Sequence, residues 1–149
     1  MSALYFAYGS NLVLERVRQR VGAVQVIGVA QLRGFRLRLD KRGADGSGKA
    51  NLHADAAHGV WGALYQLDAA AWPRLDASEP GYERVAVQVE CGGAQHAAQT
   101  YRSQLLIADA IPFAWYKRLM LEGARAHGLP DAWLRDLEAL PERDDPRRA

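Results

Sequence analysis

Tyr8-Gly9-Ser10-Asn11-Leu12 is the first stretch whose residue types suit chemistry, because it lies where a strand-like segment stops and a helix-like one begins. Free backbone N–H groups at a helix start, with the helix dipole behind them, favour a bound anion. Gly9 lets the main chain approach a ligand without a Cβ in the way. Ser10 and Asn11 add short side chains able to donate to a carboxylate or an oxyanion. The same residue types serve as helix N-caps, and taken alone the loop reads first as a cap. Other reactive side chains are scattered. His53, His58, His96 and His127 show no metal-ligand spacing, so no metal site is expected. Cys91 is the one cysteine and reads as inert; Trp61, Trp72, Trp115 and Trp133 read as packing residues.

The surrounding pattern predicts what positions this loop. Ala3–Tyr8 is short and aromatic, as a buried strand would be. Leu12, Leu14, Val17 and Val21 recur among charged residues at helical spacing, with Ser10 or Asn11 as the expected N-cap. Strands are predicted over 24–32, 35–39, 50–54 and 60–67, with a mobile glycine-rich loop over 43–49 and a turn near His58-Gly59. Asp68 should cap a short helix to Leu75 that Pro73 interrupts. Val85, Val87 and Val89 alternate with polar residues, Cys91-Gly92-Gly93-Ala94 makes a turn, and 97–106 pairs back as a hairpin. Helices are expected over 113–127, ended by Gly128, and from Pro130 through Leu140.

Composition is that of one globular domain. The 149 residues are 49% hydrophobic and 24% charged, with a formal net charge of +2. No basic stripe interleaved with aromatics points to nucleic acid. No apolar run approaches the roughly 20 residues of a membrane span, and no signal-peptide pattern opens the chain. With a single cysteine, a cytoplasmic protein is expected. Residues 1–141 read as one α+β domain, a β-sheet or small barrel flanked by helices, and 142–149 as a short polar, solvated tail. Oligomeric state is not readable.

Leu4-Tyr5-Phe6-Ala7-Tyr8-Gly9-Ser10-Asn11-Leu12 closely resembles the N-terminal signature of the gamma-glutamylcyclotransferases. Val60-Trp61-Gly62-Ala63-Leu64-Tyr65 is similar to that family's central strand, and Leu75-Asp76-Ala77-Ser78-Glu79 to the segment with its catalytic glutamate. Tyr116-Lys117 and Gly123-Ala124-Arg125-Ala126-His127-Gly128-Leu129-Pro130 resemble its C-terminal helix and following turn. The matches run in order over about residues 3 to 140. They imply a small mixed β-barrel with packed helices and cofactor-free cleavage of a small-molecule gamma-glutamyl amide to 5-oxoproline and a free amine. They further imply that Tyr8, Gly9, Ser10, Asn11 and Leu12 bind the gamma-glutamyl group and that Glu79 is the acid/base.

The implied reaction suits these residues. The substrate's α-amine adds to its own γ-carbonyl, so no enzyme nucleophile is needed. A base is needed, because an α-amine of pKa about 8 is mostly protonated at neutral pH. One carboxylate can take that proton and return it to the leaving amine. The Gly9–Asn11 amides suit either the oxyanion or the substrate's α-carboxylate, and Tyr116 could add a phenolic hydrogen bond. Without the resemblance, Glu79 reads as an ordinary surface acid, and Tyr8 and Tyr116 as core aromatics. Pro80 holds Glu79 toward extended backbone, and the stretch from there to the next strand is shorter than in many relatives. Substrates left open are gamma-glutamyl amino acids, gamma-glutamyl amines, glutathione and a gamma-glutamyl biosynthetic intermediate; a non-catalytic binding module is the reading from another class.

Overall fold

Alternating residues in the middle of the chain build two very long strands rather than the four short ones expected. The structure, a computed structural model, describes residues 2–148. Strand β1 is Ser2–Ala7, β2 is Val24–Arg42 and β3 is Gly48–Asp68. β2 and β3 run antiparallel from Val24↔Leu67 to Arg42↔Gly48. The breaks expected near Gly34 and His58-Gly59 are irregularities within this ladder. Register shifts fall at Val26/Gly28, Arg33/Phe35 and Arg38/Lys41, and Gly34 has φ +86°. A bulge bends and twists a strand without ending it, so glycine here marks curvature and not a turn.

That curvature helps a five-stranded barrel close, in the order β1-β3-β2-β4-β5, with β4 Glu83–Cys91 and β5 Ala94–Arg102 as a hairpin. A parallel contact at Tyr5↔Gln99 joins β1 to β5. β1 is buried on both faces at Tyr5, Phe6 and Ala7, which accounts for its near-continuous run of apolar and aromatic residues. Among the described residues, four α-helices flank the barrel: α1 Leu14–Val21, α2 Trp72–Ala77, α3 Ala114–His127 and α4 Asp131–Ala139. This is the expected α+β barrel with helices. Among the described residues no helix is long and apolar enough to cross a membrane.

Two local expectations are corrected. Ser10 and Asn11 do not cap α1; they form a 3-10 turn with Leu12, and Val13 occupies the cap position without a side-chain bond. The 43–49 segment is a tied turn, not a mobile loop. Asp45 accepts from the Ser47 N–H (3.0 Å), Ser47 Oγ (2.6 Å) and Lys49 Nζ (3.2 Å). Residues 142–148 are exposed apart from Asp145, as a solvated tail would be, and are tethered to the domain. Trp115 Nε1 donates to the buried Asp145 carboxylate at 3.0 Å, and Arg143 exchanges backbone bonds with Pro112 and Ala114. The helix after Asp68 divides as Pro73 requires, into a 3-10 turn at Ala69–Ala71 capped by Asp68 and the short α2.

Helix α3 lies directly on the 3-10 turn. A Cβ at Gly123 would stand 2.4 Å from the Leu12 carbonyl carbon, and Tyr65 from β3 donates its hydroxyl to the Asn11 carbonyl at 2.8 Å. The turn is therefore clamped between helix and barrel. Gly123→Ala is expected to lower stability by about 1–3 kcal/mol through overpacking. Glu122→Ala, one residue away on the exposed face, should stay within about 0.5 kcal/mol. Urea denaturation of both variants checks this; equal, negligible shifts would mean that the turn yields freely.

Candidate active site

Two turns from distant parts of the sequence meet at one cleft. The first is the Gly9–Leu12 turn. The second follows α2, where Ser78 Oγ donates to the Leu75 carbonyl at 2.7 Å and ends the helix. Glu79-Pro80-Gly81-Tyr82 then forms a tight turn, closed by the Tyr82 N–H on the Glu79 carbonyl at 3.2 Å, with Gly81 at φ +81°. Proline second and left-handed glycine third are what a type II turn demands. Lys41 Nζ donates to the Pro80 carbonyl (2.8 Å) and Ser103 Oγ to that of Gly81 (2.6 Å), which fixes the turn from behind.

Glu79 meets the first turn through its side chain. Its Oε1 accepts from Asn11 Nδ2 at 2.9 Å and from Arg20 Nη1 at 3.2 Å. Arg20 also donates to Asn11 Oδ1 at 3.1 Å, and Asn11 Nδ2 reaches the Tyr5 hydroxyl at 3.0 Å. Only 16% of the Glu79 side chain and 22% of the Arg20 side chain remain exposed. Burial raises the carboxyl's pKa above the usual glutamate value. The cations Arg20, Arg16 and Lys41 and the Asn11 hydrogen bond pull it back.

Tyr5, Tyr8, Gly9, Ser10, Asn11, Ala50, Glu79, Tyr82, Thr100, Tyr101 and Tyr116 line the cleft. The cleft they enclose is small. Gly9 sits close to its neighbours: a Cβ there would lie 3.0 Å from Ala50 Cβ and 3.3 Å from the Tyr116 hydroxyl, a tight fit. Among the described residues, the N–H groups of Gly9, Ser10 and Asn11 have no protein acceptor, the usual state of donors at the start of a helical turn.

The five tyrosines divide by where their protons go. Tyr8 donates to the Tyr101 carbonyl (2.6 Å), Tyr82 to the Ala50 carbonyl (2.6 Å) and Tyr101 to Asp76 Oδ1 (2.6 Å). Tyr116 instead accepts, from the Ala50 N–H at 3.0 Å, and Tyr5 accepts from Asn11. Each of those two hydroxyls therefore keeps its own proton for another acceptor. Burial keeps Tyr116 protonated, its pKa pushed up to about 12 although the Ala50 N–H works the other way.

Of the residues expected at the site, Tyr8, Gly9, Ser10, Asn11, Glu79 and Tyr116 come together, while Leu12 does not line the cleft. It is fully buried against α3, so its place is in the core. Sequence reading missed Arg20, Arg16, Tyr5, Tyr82 and Tyr101. The two arginines are four apart on α1 and so share a face, the one detectable signal, but they passed as solvated helix surface. Among the described residues no group of three or more His, Cys, Asp or Glu could hold a metal ion.

Residues 59–137 match the AIG2-like family. The chain is 30% identical over 152 residues to human gamma-glutamylcyclotransferase, covering 96% of this chain and 81% of that protein. It is 30% identical over 148 residues to the mouse gamma-glutamylcyclotransferase, covering 92% and 78%. A solved structure of a gamma-glutamyl cyclotransferase superposes with a TM-score of 0.90 at 28% identity, over 97% of this chain and 90% of that one.

Removing a cation that favours the carboxylate must raise its pKa. Carboxyl-carbon NMR of Glu79 is expected to titrate above the ordinary glutamate range, and higher again in Arg20→Gln. Because the folded-state value exceeds the unfolded one, stability should fall as pH rises from the ordinary range through the folded value, and Glu79→Gln should remove that slope. A Glu79 resonance titrating like that of a free glutamate would refute the shielding.

Proposed function

Because this chain belongs to the gamma-glutamylcyclotransferase family, an enzyme family, we propose that it cleaves a gamma-glutamyl amide by internal attack, releasing 5-oxoproline and the free amine. One observation carries the reading. A shielded carboxylate with a raised pKa lines the same small cleft as a turn whose N–H groups have no protein acceptor.

The substrate enters with its gamma-glutamyl half in the cleft and folds back on itself. Glu79, ionised, takes a proton from the α-ammonium. The amine nitrogen then bonds to the γ-carbon, and the carbonyl oxygen gathers negative charge. As the tetrahedral centre collapses, Glu79 gives that proton to the leaving nitrogen, the original C–N amide bond breaks, and the ring nitrogen sheds its second surplus proton through the Glu79 carboxylate to the freed amine or to water. The amine and carbonyl already share one molecule, so the cleft needs only to freeze the chain in near-attack geometry, which contributes part of the about 7–11 kcal/mol that full orientation of two reactants is worth. The cleft's tyrosine walls serve this by leaving little room for an extended ligand.

Two anionic groups require donors, the α-carboxylate and the developing oxyanion. The Gly9–Asn11 amides and the uncommitted hydroxyl protons of Tyr5 and Tyr116 are the available set. Asn11 and Arg20 act on Glu79: they aim its carboxylate and keep enough of it ionised to act as a base near neutral pH.

Purified protein incubated with gamma-glutamyl-alanine is expected to yield 5-oxoproline and alanine in equal amounts by chromatography. Glu79→Gln should retain the fold and lose about 10²–10⁴-fold in kcat. The acidic limb of kcat/KM should report a pKa above that of an ordinary glutamate and move to higher pH in Arg20→Gln. A fully active Glu79→Gln would remove this residue from the chemistry.

A further inference from the structure

Beside the cleft, and sharing Ser10, Glu79, Tyr82 and Tyr116 with it, lies a second space lined by Arg16, Arg20, Lys41 and Lys49. Four cations there face a single lining carboxylate, Glu79. Arg20 is paired with that carboxylate at 3.2 Å, and Lys49 with Asp45 behind it at 3.2 Å. Among the described residues, Arg16 and Lys41 have no carboxylate partner; their protein hydrogen bonds go to Ser10 Oγ and the Pro80 carbonyl. These are not freely solvated side chains. Lys41 is buried, and Lys49 lies over the Trp115 and Tyr116 rings at 4.4 and 4.6 Å. Burial lowers the pKa of Arg16, Lys41 and Lys49, and a like-charged neighbour adds to this in each case.

Gathering like charges in a partly desolvated space is unfavourable unless an anion joins them. The position says which end of the ligand that anion belongs to. The gamma-glutamyl half occupies the inner cleft, whose donors are main-chain amides and tyrosines. The cationic space adjoins it beyond Glu79, where the leaving amine must project.

We propose that this basic vestibule is a subsite for two negative charges on the leaving amine, carried either by a pair of carboxylates or by one phosphate. The preferred substrates are then gamma-glutamyl amides of acidic amines, rather than those of neutral or cationic ones. Arg16 and Lys49 are specificity-determining residues in this scheme, while Lys41 both supports the Pro80 turn and contributes charge. The inference rests on the cyclotransferase reading for its substrates but not for the existence of the anion site.

The test compares kcat/KM for gamma-glutamyl-glutamate and gamma-glutamyl-phosphoethanolamine with that for gamma-glutamyl-alanine amide, whose leaving group is uncharged. Wild-type protein at low ionic strength should prefer one or both anionic substrates by tenfold or more, mainly through KM. That preference should shrink as salt is raised, because small anions compete for the site and the long-range attraction is screened over about 10 Å at 0.1 M. In Arg16→Gln and Lys49→Gln the ratio of anionic to neutral turnover should fall several-fold. The ratio cancels any common effect on Glu79 or on the Ser10 turn. Which anionic substrate wins tells carboxylate from phosphate. A ratio near one in wild type, or one unchanged in both variants, overturns the proposal. Independently of turnover, inorganic phosphate should shift the Arg16 Nε–H resonance in NMR titration, and Lys49→Gln should weaken that binding several-fold. No shift with phosphate rejects the anion site; phosphate binding without 5-oxoproline from any gamma-glutamyl compound rejects the cyclotransferase reading and keeps the anion site.

Discussion

A hydrogen bond of 2.9 Å between Asn11 and Glu79 ties together two turns separated by 68 residues of sequence. The Asn11 amide reaches both the carboxylate and the Tyr5 hydroxyl, and Arg20 binds the Asn11 oxygen and Glu79 together. A carboxylate moved out of water needs such partners, since a buried anion without them neutralises or destabilises the fold. This cluster leaves the group in an intermediate condition. It is shielded enough for its pKa to rise and supported enough to ionise, which is the compromise that acid/base work near neutral pH asks for.

The rest of the architecture serves to hold those turns still. β1 delivers the first turn from the middle of the core, and α3 closes over it so tightly that position 123 accepts only glycine without movement. Tyr65 reaches from β3 to the carbonyls of Asn11 and Leu12, and His127 at the end of α3 meets the same Leu12 carbonyl at 2.8 Å. The second turn is braced by Lys41 from β2 and by Ser103 just beyond β5. Each brace comes from a different element, so the cleft geometry depends on closure of the barrel. A site on turns gains the precision of a site on strands when the turns are clamped in this way.

Charge is divided between the two adjoining spaces. The inner cleft is walled by tyrosines and main-chain amides, groups that recognise an anion without adding net charge. The vestibule beyond Glu79 is cationic and edged by aromatic rings. Arg20 stands at the boundary with Glu79 as its partner. On the proposed reading, a substrate with an anion at each end would lie along this gradient, with the reacting carbonyl between them.

The local pattern of residues was enough to indicate the α+β class, β1, the β4–β5 hairpin, both C-terminal helices and the polar turn at Gly9–Asn11. Those features arise from short-range physics: alternation, helical spacing, and the backbone preferences of glycine and proline. The resemblance, not the pattern, singled out Glu79. What sequence reading could not decide was continuity and partnership. Gly34 and Gly59 look like chain breaks in isolation, yet pairing resumes on either side of Gly34 and of residues 55–58, and the ladder carries each strand through. Asn11 looks like a helix cap, yet its amide finds Glu79 and Tyr5 once the barrel closes. Arg16, Arg20, Lys41 and Lys49 look like solvated surface, yet they meet in one space. Sequence by itself determined which groups were available and which segments could bend. Tertiary structure alone decided which of them are shielded from water and beside one another, and shielding with proximity is what turns an ordinary carboxylate or cation into a functional group.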